Sequence, residues 1–193
     1  MSASANDFES RLEQGQMGES LIARWLQRRG YSVLPAYEKE VGEYKGPRIF
    51  SAKRSLVAPD IFAFRFQNEQ KRVFWVEAKS KAAFTWHRLS KTYQDGIDRR
   101  HWRDYHELRN QMPWDLWILF LHAPGGVTKD NPPDKVPPVG LFGGEVLHLA
   151  RCIDHESERW GRSGMVYWQC KDLMRNGKPI ATYEEVCDEW GNT

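Results

Sequence analysis

A chain of 193 residues, 40% hydrophobic and 28% charged, has the make-up of a single folded domain able to bury about 70% of its unfolded surface. No apolar run reaches the ~18 residues of a membrane-spanning helix, and Met1–Asp7 holds neither a basic nor an apolar signal region, so no membrane span and no secretion signal is expected. The net charge of +2 hides an asymmetry: residues 1–111 carry twenty Lys and Arg against fourteen Asp and Glu, and residues 112–193 eight against twelve, which makes the first half the natural surface for a polyanion.

In chain order, Asn6 with Glu9 three residues on predicts the start of a long helix, and Arg28-Arg29-Gly30 predicts its end. Phe8, Leu12, Ile22 and Leu26 fall on one stripe at helical spacing. Glu19 falls within that stripe, either pointing inward toward a ligand or sitting at the stripe edge paired with an arginine. Gly15 and Gly18 flank it, each unfavourable in a helix by about 1 kcal/mol, and such glycines let another backbone or a ligand come close. Tyr31 to Glu38 reads as a first strand, and residues 39–58 as a polar, basic connection.

Two β-prone runs follow, Ile61 to Phe66 and Val73 to Val76, separated by the polar tetrapeptide Gln67-Asn68-Glu69-Gln70. Read as an antiparallel hairpin, Phe66 faces Lys71, and the same register places Asp60 opposite Glu77. Directly opposed residues have Cβ atoms about 4.5–5.5 Å apart, and like charges there are destabilising. Glu77 and Lys79 share a face because strand side chains alternate. Two acids and a lysine thus converge at one hairpin end, an arrangement that a divalent cation would relieve and that suits phosphodiester cleavage.

Phe84–Arg88 mixes aromatic and basic residues and reads as a loop, with Asp98 capping a helix through Arg109 whose buried side carries Trp102 and Tyr105. Trp114 to Leu121 is a nearly continuous apolar run, as in a central strand covered on both faces. Residues 123–139 hold five of the ten prolines and read as a long loop. Val139 to Leu149 and Gly164 to Asp172 read as strands, and Thr182 to Trp190 as a closing helix with Thr182 and Glu185 as a capping pair. Three widely spaced cysteines, Cys152, Cys170 and Cys187, argue against a disulfide framework and for a reducing, cytoplasmic setting. Cys152-x-x-His155 with His148 is half of a zinc pattern with no second half, so unrelated thiols and a surface histidine are the better reading.

With Pro59-Asp60, Glu77-Ala78-Lys79 and an upstream helical Glu19, the chain resembles the PD-(D/E)xK nuclease superfamily. The resemblance implies an α/β, restriction-endonuclease-like core over residues 7–121, a central mixed β-sheet flanked by α-helices. Residues 139–193 would pack on that core within one nuclease domain spanning 1–193. It also implies a Mg²⁺-dependent DNA endonuclease, with Mn²⁺ as substitute. Asp60, Glu77 and the Ala78 carbonyl would be metal ligands, Lys79 would position the attacking water, and Glu19 would be an outer-shell or second-metal ligand supported by Gln16. Lys45, Arg48, Lys53, Arg54, Lys81, Arg88, Arg99, Arg100 and Arg103 would meet DNA phosphates. One branch of the family carries Q-x-x-x-Y on the next helix. Here that spacing reads His101-Trp102-Arg103-Asp104-Tyr105, so the glutamine's role is not transferred to His101. Junction resolvases of this superfamily also place a glutamate on the first helix and act as dimers, which leaves a homodimer open. The competing expectation is a catalytically inactive DNA-binding or assembly module of the same fold.

Overall fold

The computed structural model describes residues 3–36, 48–51, 54–67, 70–161 and 163–188, with side chains described from residue 15 onward. The chain begins with α1 (Ala3–Arg28), three residues earlier than the expected Asn6 cap, which lies inside the helix. Gly30, at φ +80°, ends it, and the Tyr31 amide donates back to the Leu26 carbonyl. β1 (Ser32–Pro35) is shorter than the expected Tyr31–Glu38, and residues 37–38 of that range lie outside the described residues. The connection expected over 39–58 contains a small ribbon, β2 (Arg48–Phe50) against β3 (Ser55–Val57).

The hairpin is β4 (Ile61–Gln67) and β5 (Gln70–Lys81). Its register runs from Gln67 opposite Gln70 through Phe66 opposite Lys71 to Ile61 opposite Val76. Only two residues join the strands, against the four expected, but the register is the expected one. β6 (Thr85–His87) and β7 (Thr92–Asp98) form a second hairpin where a loop was expected. α2 (Arg99–Gln111) is capped by Asp98, whose carboxylate accepts from the Arg100 amide. β8 (Asp115–His122) runs parallel to β5 and antiparallel to β9 (Gly140–Glu145).

The expected strand over 139–149 is a strand only to Glu145. There the Glu145 carboxylate accepts from the Leu147 and His148 amides and starts α3 (Val146–Arg151). β10 (His155–Ser157) and β11 (Met165–Gln169) follow, the latter passing into a 3₁₀ turn at Cys170–Leu173. α4 (Tyr183–Cys187) closes the chain behind the expected Thr182–Glu185 capping box.

The main sheet has the order β1-β4-β5-β8-β9 and is mixed, so the α/β architecture with a central mixed sheet and flanking helices holds. A four-stranded antiparallel sheet, β10-β11-β7-β6, packs beside it. α1 and α4 cover one face of the main sheet, where Ile22, Trp25 and Leu26 meet Val76, Ala78, Leu119 and Leu121. α2 and α3 cover the other, where Trp102, Tyr105 and Leu108 meet Ile118, Phe120 and Trp168. β8 is buried from both sides, as its apolar run led us to expect.

Candidate active site

Sheet pairing, helix phase and one glycine bring the site together. Continuing the β4–β5 register by one step sets Asp60 across from Glu77. The pairing is closed by a hydrogen bond in which the Ala78 amide donates to Asp60 Oδ2 at 2.9 Å. Both acids are buried, Asp60 at 6% and Glu77 at 1% exposure. Lys79, two residues on and on the same side of β5, places its ammonium directly on Glu77 Oε1. The other Glu77 oxygen, Oε2, is buried with no hydrogen-bond partner among the described residues. A buried carboxylate oxygen left unsatisfied is costly and calls for a counterpart.

Burial, and after it the neighbouring Asp60, pushes the Glu77 carboxyl up to about 8, against the opposing pull of Lys79 and the Tyr105 hydroxyl. For Lys79, burial favours the neutral amine, but Glu77, Asp60 and then Glu19 outweigh it and hold the ammonium above its ordinary value. Burial beside Asp60 thus disfavours the charged form of Glu77. The donor set of two carboxylates and the backbone oxygen of Ala78 is what a hard divalent cation takes, and the unsatisfied Oε2 fits such an ion.

α1 comes to this site through Gly18. A Cβ there would lie 2.5 Å from Ser80 Cβ and 3.3 Å from Ser80 Cα, so only glycine lets the helix rest on the end of β5. Glu19 is thereby close enough to act on Lys79. Gly15, in contrast, faces open space. Gln16 is half-buried on the same helix.

Two residues from α2 complete the surroundings. Tyr105, 1% exposed, bears on Glu77 through its hydroxyl. His101 stands one turn earlier, with ring centroids 6.2 Å apart. Burial, and then the Lys79 charge, lower the His101 imidazole below its ordinary value. The sequence marked Tyr105 as core only and left His101 without a role. Their shared spacing on a helix whose cap was legible was the signal that could have placed them.

Beyond Lys79, Lys81 continues the same row into a buried network. Its ammonium lies 3.3 Å from Asp95 Oδ1 and donates to the Gly96 carbonyl. Asp95 Oδ2 is 2.9 Å from Nε2 of the fully buried His122, whose ring stacks on Phe84 at 3.9 Å. Burial would raise the Asp95 carboxyl; Lys81 and His122 outweigh it and hold it below the usual range.

The other cations expected to meet phosphates are distributed as follows. Lys45 and Lys53 lie outside the described residues. Arg48 bonds Ser55 within the β2–β3 ribbon. Arg54 pairs with Asp104 and Glu107, both at 2.6 Å. Arg88 pairs with Asp130, and Arg99 with Glu156 and Glu158. Arg100 and Arg103 are exposed on α2.

A separate polar group joins His87, Asp154 and His155, whose ligand-type atoms lie within 4.8 Å of one another. Asp154 accepts from Gln94 and from Gln169, and the two imidazoles stack at 4.9 Å. His155 therefore gathers with His87, while Cys152 contacts His148 at 3.7 Å, so the half zinc pattern is not assembled.

No known sequence family matches the chain, and no curated protein does. Among solved structures it is similar to Hjc of Archaeoglobus fulgidus, a Holliday junction resolvase from an archaeal hyperthermophile. That similarity has a TM-score of 0.45 at 8% identity, over 82% of this chain and 91% of that one. No helix among the described residues is long and apolar enough to cross a membrane.

Proposed function

We propose that the protein is a metal-dependent deoxyribonuclease, an endonuclease whose cutting centre is Asp60, Glu77 and Lys79. The observation that carries this reading is the buried opposition of two carboxylates with one oxygen unsatisfied and an ammonium alongside. A scaffold gains nothing from such an arrangement, because opposed acids weaken a sheet and a buried unpaired oxygen costs about 1–3 kcal/mol.

Asp60, Glu77 and the Ala78 carbonyl would hold Mg²⁺ or Mn²⁺. When bound, the ion supplies a nucleophilic water at neutral pH and offsets charge on the phosphate. The remaining work belongs to the chain. The Asp60 carboxylate is fixed by the Ala78 amide, so its position does not drift with side-chain rotation. Lys79, its ammonium on Glu77 and held above its ordinary value, attracts the scissile phosphate and orients the attacking water. Because Lys79 stays an ammonium it has no lone pair to accept a proton, so it acts by charge and position. Tyr105 holds Glu77 on the α2 side, and His101, one turn earlier on the same helix, would hydrogen-bond a phosphate oxygen or the leaving group. Glu19 holds Lys79 from the α1 side, with Gln16 one turn earlier as its support.

A plasmid-nicking assay tests this. Wild type should nick supercoiled DNA with Mg²⁺ or Mn²⁺ and be inert in EDTA. Asp60→Asn and Glu77→Gln should each lose at least a thousandfold in rate while their circular dichroism stays unchanged. Wild-type nicking by Asp60→Asn would remove the assignment.

A further inference from the structure

At the other end of β5, on the α1 face, a cavity of about 510 Å³ opens at the starts of β5 and β8. Its charge is one-sided. Arg29, Arg65, Lys71, Arg72 and Arg175 line it, and among the described residues none of the five has an ion-pair partner. Among its described lining residues the single carboxylate, Asp115, is already held by Arg109 at 2.9 Å.

Two of these cations oppose each other in the sheet. The β4–β5 register sets Arg65 directly across from Arg72, a like-charge pair that destabilises the hairpin unless an anion lies between. Arg65 is fixed in place, its guanidinium 4.6 Å over the Tyr31 ring and donating to the Arg29 carbonyl at 2.8 Å. A second, smaller cavity lined by Arg65, Gln67, Gln70 and Arg72 extends the basic surface along the hairpin.

The walls are aromatic. Tyr31 meets Phe74 edge-on at 5.1 Å, and Trp25 and Trp117 line the same space. Cations alone would suit any polyanion; cations over flat apolar walls, in a volume larger than a phosphate group, suit a phosphate attached to a heterocyclic base. We propose that this cavity binds a nucleotide, its phosphates on Arg65 and Arg72 and its base against Tyr31 and Phe74. The site lies apart from Asp60, Glu77 and Lys79, and the proposal stands or falls without the nuclease reading.

The test is isothermal titration of the full chain in EDTA, with Asp60→Asn as a parallel background. ATP, 5′-phosphorylated pentathymidylate, tripolyphosphate and adenosine are the probes. ATP or the pentanucleotide should bind at least tenfold more tightly than tripolyphosphate, and which of the two binds better separates a free nucleotide from a nucleic-acid strand as the source. Arg65→Glu, at a half-exposed site, should weaken nucleotide and tripolyphosphate alike by at least tenfold. Tyr31→Ala should weaken the nucleotide while sparing tripolyphosphate. Equal affinity for ATP, pentanucleotide and tripolyphosphate, no saturable binding, or full affinity in folded Arg65→Glu would each overturn the proposal.

Discussion

Glu77 is the residue on which the proposed chemistry turns, and its environment gives it a pH signature. Its carboxyl is raised to about 8, first by burial and then by Asp60. In the unfolded chain it releases its proton at the ordinary value near 4.3. A raised folded value favours folding below the unfolded one and loses that advantage as pH rises through the folded one. Metal-free protein should therefore melt at steadily lower temperature from about pH 4.5 to about pH 8, and Glu77→Gln should flatten that slope. A wild-type profile as flat as that of Glu77→Gln would show that Glu77 ionises normally. By the same linkage, dication binding at the proposed site would compete with a proton. Titration of Mg²⁺ in two buffers of different ionisation heat should show a fraction of a proton released near pH 7, and none in Glu77→Gln. Lys79 belongs to the same cluster but plays the other part. Lys79→Met should bring nicking close to background while Mn²⁺ still binds, which equilibrium dialysis would show.

Among the elements, α1 and its two glycines separate packing from propensity. Gly18→Ala puts a methyl group into Ser80 and must lift the helix from β5, whereas Gly15→Ala meets nothing within 4 Å. Urea melts should show Gly15→Ala stabilised by up to about 1 kcal/mol and Gly18→Ala destabilised, with nicking lowered only in the latter as Glu19 moves away from Lys79. The hairpin register was legible in the sequence because it is local: two alternating runs and a short polar link leave few pairings that put one face in the core. The helix caps at Asp98 and Thr182 were legible for the same reason. The β6–β7 hairpin was not, because Thr85–His87 has no clean alternation and its partners on β11 lie some seventy residues away in the chain. The strand expected over 139–149 failed at Glu145, where a side-chain cap overrides an apolar run whose period is ambiguous.

Across the whole molecule, the basic first half divides into cations paired internally and cations left exposed. Arg54, Lys81 and Arg99 are spent on Asp104, Asp95 and the β10 edge, an outcome that spacing could not foretell because each partner is distant in sequence. Arg54→Ala should therefore act on stability more than on DNA affinity. Arg100 and Arg103 stay exposed beside His101. Fluorescence-anisotropy titrations over 50–200 mM salt should show each alanine variant reducing the slope of log affinity against log salt by about one, with Arg54→Ala leaving it nearly unchanged. The acid pair was legible and so was the sheet that carries it. The α2 contribution from Tyr105 and His101, the Lys81–Asp95–His122 network and the His87–Asp154–His155 group were not, since each is assembled by contacts between separate hairpins and helices.

The measurement that bears most directly on the central claim is anomalous diffraction from a crystal soaked in Mn²⁺. A peak is expected between Asp60 and Glu77, about 2.0–2.3 Å from a carboxylate oxygen of each and within reach of the Ala78 carbonyl. A peak at His87, Asp154 and His155 with none at Glu77, or no peak at either place, would contradict it.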